Sequence, residues 1–151
     1  MIRIYLDANV FIYFIEGKPL VADPLRELFV TLARRPLVAW SSELTLAETL
    51  APPRRVDALP LAEKRPKYLD LLIHSGIVQL TPVDRDILIR TAELREATKH
   101  RLADAIHVAS AARAECAFFV SGDADAKRLP DGMNWIAPDH DGVRTLTKAL
   151  A

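Results

Sequence analysis

Five short apolar runs, at residues 2–6, 37–40, 77–80, 117–120 and 134–136, punctuate this chain, and longer segments of helical character lie between them. Runs this short and this apolar suit strands buried on both faces. That is the habit of a parallel sheet, whose helical crossovers cover it above and below. The expected fold class is therefore α/β, with a central, mainly parallel sheet of about five strands flanked by helices. A chain of 151 residues, half of them hydrophobic, is the size of one domain with a real core. A single domain over residues 1–151 is expected.

The helical segments carry their own boundary signals. Val10 to Ile15 is apolar all round and reads as a buried helix, capped near Asp7 or Asn9 and ended by Gly17. Asp23-Pro24 has the form of a helix start, a cap followed by proline, with the helix running to about Arg34. Ser41 or Ser42 caps a helix that contains Glu48 and is terminated by Pro52-Pro53. Further helices are expected over about 61–74, 83–99 and 102–115.

Formal net charge is zero, so the chain as a whole does not attract nucleic acid, although a local basic rim is compatible with that balance. Cys116 is the only cysteine, so no internal disulfide forms, and it reads as a small packed hydrophobe. The apolar amino-terminal stretch is broken by Asp7 and Asn9 and is too short to span a bilayer. A cytoplasmic protein without membrane association is expected.

Four acidic residues then stand out by where they fall. Asp7 follows the first strand and Asp123 the fourth, and ligands of open α/β sheets bind beyond the carboxyl ends of strands. Asp7 alone serves equally well as a helix cap, but a charge between two buried apolar segments is costly unless paired or metal-bound. Glu48 shares a helical face with Leu44, Ala47 and Ala51, the face expected to pack inward. A buried arginine partner explains that placement as well as a metal does. Asp104 lies at the edge of a stripe formed by Leu102, Ala105, Ile106, Ala109 and Ala112, displaced from the natural cap near His100 or Arg101. Asp123 and Asp125 lie in Ser-Gly-Asp-Ala-Asp, which is also ordinary turn chemistry, and Asp123 is the preferred ligand of the two. Carboxylates converging from separate elements repel one another and need a cation, and hard oxygen donors suit Mg2+ or Mn2+.

These residues, in this order, resemble the PIN domain, most closely the VapC-type toxin ribonucleases of toxin–antitoxin modules. The resemblance runs over almost the whole chain. It rests on Leu6-Asp7-Ala8-Asn9, on Ser42, Thr45 and Glu48 at three-residue spacing, on Leu102-Ala103-Asp104-Ala105 and on Ser121-Gly122-Asp123. It implies metal-dependent hydrolysis of RNA phosphodiester bonds by an activated water, with Asp7, Glu48, Asp104 and Asp123 as catalytic metal ligands and Asp125 as an outer one. Asn9, Ser121 and His107 would position ligands or substrate. It further implies a homodimer and a cognate antitoxin. Val21, Leu25, Leu28, Phe29 and Leu32, with residues 52–68, would offer a surface for either, or the five named residues belong to the core. Lys99, His100 and Arg101 would contact RNA phosphates or form a solvated helix junction.

Two other readings compete. The fold could persist as a catalytically inactive binding module acting through a protein or RNA partner. A phosphatase of the haloacid-dehalogenase type is disfavoured, because that chemistry wants Asp-x-Asp after the first strand and Asn9 occupies the second position.

Overall fold

Five strands, β1 (Ile4–Leu6), β2 (Ala39–Ser42), β3 (Val78–Thr81), β4 (Phe118–Val120) and β5 (Asn134–Ile136), pair in parallel in the order β3-β2-β1-β4-β5. The computed structural model describes residues 1–53 and 58–151. Seven α-helices flank the sheet among those residues: α1 (Ala8–Glu16), α2 (Pro19–Ala33), α3 (Leu44–Thr49), α4 (Leu61–Leu69), α5 (Arg85–Ala97), α6 (Leu102–Arg113) and α7 (His140–Leu150).

The central strand shows why the sheet must be covered twice. Successive side chains on a strand point to opposite faces. Ile4 and Leu6 enter a core built with Val10, Phe11, Leu25 and Leu28, whereas Tyr5 enters a second core with Val108, Ala111 and Phe119. All three residues of β1 are fully buried. A parallel α/β architecture follows, as the spacing of apolar runs predicts.

Strand order also fixes where a site can form. The chain leaves β1 for β2 and β3 on one side, then returns to place β4 and β5 on the other. Connections therefore diverge between β1 and β4, and a crevice opens beyond the carboxyl ends of those two strands.

Several expected boundaries move, for local reasons. Helix α2 starts at Pro19, which takes the first helical position where its missing N–H costs nothing, and Pro24 lies inside the helix. Asp23 does not cap it; its carboxylate pairs with Arg26 at 2.5 Å. Strand β2 begins two residues later than expected because Leu37 has a φ of 67°, a left-handed conformation outside any strand. The helix expected over 61–74 is α4 followed by a π-helical turn, Asp70–His74. The sequence pattern offers no clear counterpart for α7. There Asp139 accepts from the Gly142 N–H at 2.8 Å, and Val143, Leu146 and Leu150 bury one stripe.

Leu25, Leu28, Phe29 and Leu32 are core residues, not a docking surface; of that set only Val21 is exposed. In the other suggested docking region, residues 54–57 lie outside the described residues, and Tyr68 is fully buried with its hydroxyl bound to Glu16. Among the described residues no helix is long and apolar enough to cross a membrane. Truncating Leu28, which is wholly buried, to alanine should cost ~2–5 kcal/mol of stability. Urea unfolding of Leu28→Ala measures it, and a change within about 0.5 kcal/mol would return α2 to the surface.

Candidate active site

Asp7 ends β1 and caps α1, and it is only 7 % exposed. An ionised carboxylate so placed requires donors on each oxygen. Its Oδ1 accepts from the Ala8 N–H at 2.8 Å; its Oδ2 accepts from the Ser121 hydroxyl at 2.7 Å and the Asn9 amide at 3.4 Å. Ser121 lies just past the end of β4, the strand beside β1, so one hydrogen bond ties the two strand ends that border the crevice.

The Ser121 hydroxyl is used to capacity. It donates to Asp7 and accepts from the Asn9 side chain at 3.1 Å and the Asp123 N–H at 3.0 Å. Asn9 in turn accepts the Gly122 N–H at 3.1 Å. A Cβ at Gly122 would lie 2.5 Å from the Tyr13 ring of α1, so the ring would have to shift to admit a larger residue. Asn9 and Ser121 thus hydrogen-bond both to Asp7 and to the backbone leading into the Asp123 turn.

His107, read from the sequence as a positioning group or a structural histidine, is 1 % exposed and hydrogen-bonded to one of the acids. Its Nδ1 pairs with the Tyr5 hydroxyl at 2.8 Å, its Nε2 with Glu48 Oε1 at 2.5 Å, and Asp7 Oδ1 lies 3.6 Å away. Burial opposes its charge, but the Glu48 hydrogen bond and the attraction of Asp7, Glu48 and Asp104 outweigh it, and its pKa is raised. Burial, then Asp7, push the Tyr5 pKa well above its usual value, which keeps the phenol neutral, and its oxygen accepts from the Nδ1–H of the protonated imidazole. Tyr5 is a site residue that sequence reasoning misses; its one signal is a polar tip on a strand otherwise wholly apolar.

Glu48 reaches this network from a different face than expected. Thr45 and Thr49 are the buried residues of α3, and Ser41 Oγ both meets Thr45 at 2.9 Å and donates to the Leu6 carbonyl at 2.8 Å. Glu48 therefore points along the open side of the helix, its side chain 34 % exposed.

Asp104 lies in the first turn of α6, whose cap is Arg101, so it is not a cap itself. Leu102, expected to begin the buried stripe of that helix, is exposed. Burial, then repulsion from Asp7 and Asp123, raise the Asp104 pKa. Three carboxylates thus share one electrostatic neighbourhood. Asp123 caps a short 3-10 turn and accepts the Asp125 N–H at 3.0 Å, while Asp125 and Asp104 line a common small pocket.

A hard dication fits this donor set by its chemistry: oxygen ligands, partly desolvated and mutually repelling. Yet no three His, Cys, Asp or Glu side chains among the described residues form a ready-made cage. Mg2+ keeps several waters and takes one or two carboxylates directly. Asp7, Asp104 and Asp123 are the carboxylates free of the histidine hydrogen bond that occupies Glu48.

A family model described as PIN domain matches residues 4–132. Among solved structures, the chain is similar to a toxin–antitoxin complex from Klebsiella pneumoniae, with a TM-score of 0.61 and 19 % identity over 89 % of this chain and 96 % of that one. It is also similar to VapBC2 from Rickettsia felis bound to a DNA fragment from their promoter, with a TM-score of 0.66 and 20 % identity over 91 % and 98 %. No curated protein matches it in sequence.

The raised His107 pKa has a definite sign in stability. Protonated His107 stabilises the fold fully below its unfolded value of about 6.5, and that contribution is lost as pH rises through the higher folded value. Thermal unfolding in EDTA should therefore show Tm falling by a few degrees from neutral to mildly alkaline pH. His107→Gln should flatten that decline; an equal decline in the variant would assign it elsewhere.

Proposed function

The chain belongs to the PIN domain family, and on that premise we propose that it is a divalent-metal-dependent endoribonuclease, the toxin of a VapBC-type toxin–antitoxin pair. The observation that carries this reading is the meeting of Asp7, Asp104 and Asp123 beyond the carboxyl ends of β1 and β4, close enough for Asp7 and Asp123 to raise the Asp104 pKa. The two structural neighbours are toxin–antitoxin assemblies, which supports an antitoxin as protein partner. Homodimer formation is part of the same proposal.

Bound Mg2+ or Mn2+ would offset charge on the attacked phosphate and bring the pKa of a water toward neutrality. The protein's own groups do the rest. Asp7 is held in one orientation by Ser121, Asn9 and the Ala8 N–H, so it enters the reaction without reorganising. Asp104 and Asp123 supply the other direct or water-mediated ligands, and Asp125 an outer one. Glu48, held by His107, can orient a water or accept its proton at the open rim. No nucleophilic side chain is needed, and direct hydrolysis follows.

One observation favours a second reading. Glu48, expected as a metal ligand, is hydrogen-bonded to His107, as a retained fold with lost chemistry would also allow. The inactive binding module is its form.

Cleavage of single-stranded RNA, with end mapping, separates the two. The purified protein, freed of antitoxin, should cut in Mg2+ or Mn2+ and stop in EDTA. Asp7→Asn and Asp104→Asn should each lose at least about 100-fold, more than loss of an outer group costs. Asp104→Asn should also melt higher than wild type in EDTA, because it removes a repelled carboxylate. A wild type inert with either metal leaves the binding module as the answer.

A further inference from the structure

Tyr5 sits at the middle of the central strand between Ile4 and Leu6, and all three residues are wholly buried. Packing alone would be served by phenylalanine. The Tyr5 ring stacks on Phe119 with centroids 5.1 Å apart and planes 13° from parallel, and it meets the His107 ring edge-on at 5.9 Å. Neither contact needs the oxygen. A buried hydroxyl costs stability unless it is bonded, so its partners decide what the oxygen is for.

Those partners form a directed chain. Ser41 Oγ donates its proton to the Leu6 carbonyl at 2.8 Å, and Ser110 Oγ donates to the Ile106 carbonyl at 2.7 Å. Both serines also act on Tyr5 through side-chain hydrogen bonding. With its own proton committed, each offers the phenol a lone pair. The Tyr5 proton is thus directed toward serine, and its oxygen accepts the Nδ1–H of His107 at 2.8 Å. An imidazole held at Nδ1 cannot turn over without breaking that bond. Its Nε2 therefore stays aimed at Glu48 Oε1, 2.5 Å away.

Glu48 is the one member of the chain with its side chain partly exposed. A glutamate at a helix surface ordinarily samples many rotamers. Here Oε1 is taken by His107, and Oε2 has no hydrogen-bond partner among the described residues. We propose that Tyr5 is a positioning residue that acts through His107. By fixing the imidazole it ties down Oε1 of Glu48 and presents Oε2 alone, in one orientation, to the water that attacks the phosphate. The proposal rests on the ribonuclease reading for the reaction, and on the hydrogen bonds alone for the hold on Glu48.

Nitrogen-15 NMR of the metal-free protein at neutral pH reads the His107 ring directly, its signals assigned by their loss in His107→Gln. Wild type should show an Nδ1–H that exchanges slowly with solvent. An Nδ1 without a proton overturns the proposal, and that measurement decides the matter even if Tyr5→Phe does not fold. Tyr5→Phe, which keeps both ring contacts, should move the Nδ1 resonance and speed exchange of its proton. In Mg2+ the same variant should lose about 10- to 100-fold in kcat, the usual cost of removing an outer partner, with KM for RNA unchanged. Tyr68→Phe removes an equally buried hydroxyl that bonds Glu16 instead, and should leave both readouts at their wild-type values. An unmoved Nδ1 signal in Tyr5→Phe overturns the proposal. So does a wild-type kcat in that variant, and the nuclease reading then stands. A moved signal in a protein that cleaves no RNA upholds the hold on Glu48 while the nuclease reading fails.

Discussion

Everything at the functional end of this fold depends on a buried carboxylate, Asp7, at the tip of the central strand. A charge there is tolerable only with donors on both oxygens, and the donors come from three places: the first turn of α1, Asn9 beside it, and Ser121 beyond the neighbouring strand. Satisfying Asp7 therefore sets the direction of α1, the relation of β1 to β4, and the turn carrying Asp123. The polar requirement and the sheet topology agree on one point in space. That point is the switch between β1 and β4, where an α/β sheet opens of its own accord.

The remaining acids are not relieved in the same way. Asp104 is raised in pKa by burial and by its neighbours, and Glu48 is taken up by His107. Local structure elsewhere is consistent with the fold: caps at Asp84 and Asp139, alternation along β1, a buried stripe on α7. The charge conflict lies in the acid cluster. Natural sequences keep such local disagreement where function requires it, and here it takes the specific form of negative charge without enough positive charge.

The fold is legible in the sequence because period and punctuation survive translation into structure. Gly17 ends α1 and Asp7 caps it, as the sequence reads. Failures come where one residue type serves two purposes. Asp23-Pro24 has the form of a cap yet forms an ion pair inside a helix. Leu25, Leu28, Phe29 and Leu32 are equally plausible as core or docking face until α2 is seen between α1 and α7. The apolar neighbours of Glu48 suggest an inward face, whereas Thr45 and Thr49 face inward, satisfied by Ser41 Oγ and the Thr45 carbonyl respectively. Tyr5 carries only a faint signal, a polar tip on an apolar strand, because its significance lies in a contact with His107, far away in sequence.

His107 joins burial, hydrogen bonding and charge in a single side chain. Its imidazole is fully enclosed, held at one nitrogen by a phenol kept neutral by burial and at the other by a carboxylate. As a cation it neutralises part of the acid cluster from within, at the end nearest Glu48 and Asp7. Asp104 also feels His107 and His100, but burial and repulsion from Asp7 and Asp123 outweigh them, and its pKa stays raised. A site balanced throughout would be more stable and would have no vacancy in its charge; a site with no His107 would place four carboxylates in one crevice against the cost of burying them. The arrangement found lies between these limits: one buried cation relieves the acids in part, and Asp104 remains repelled.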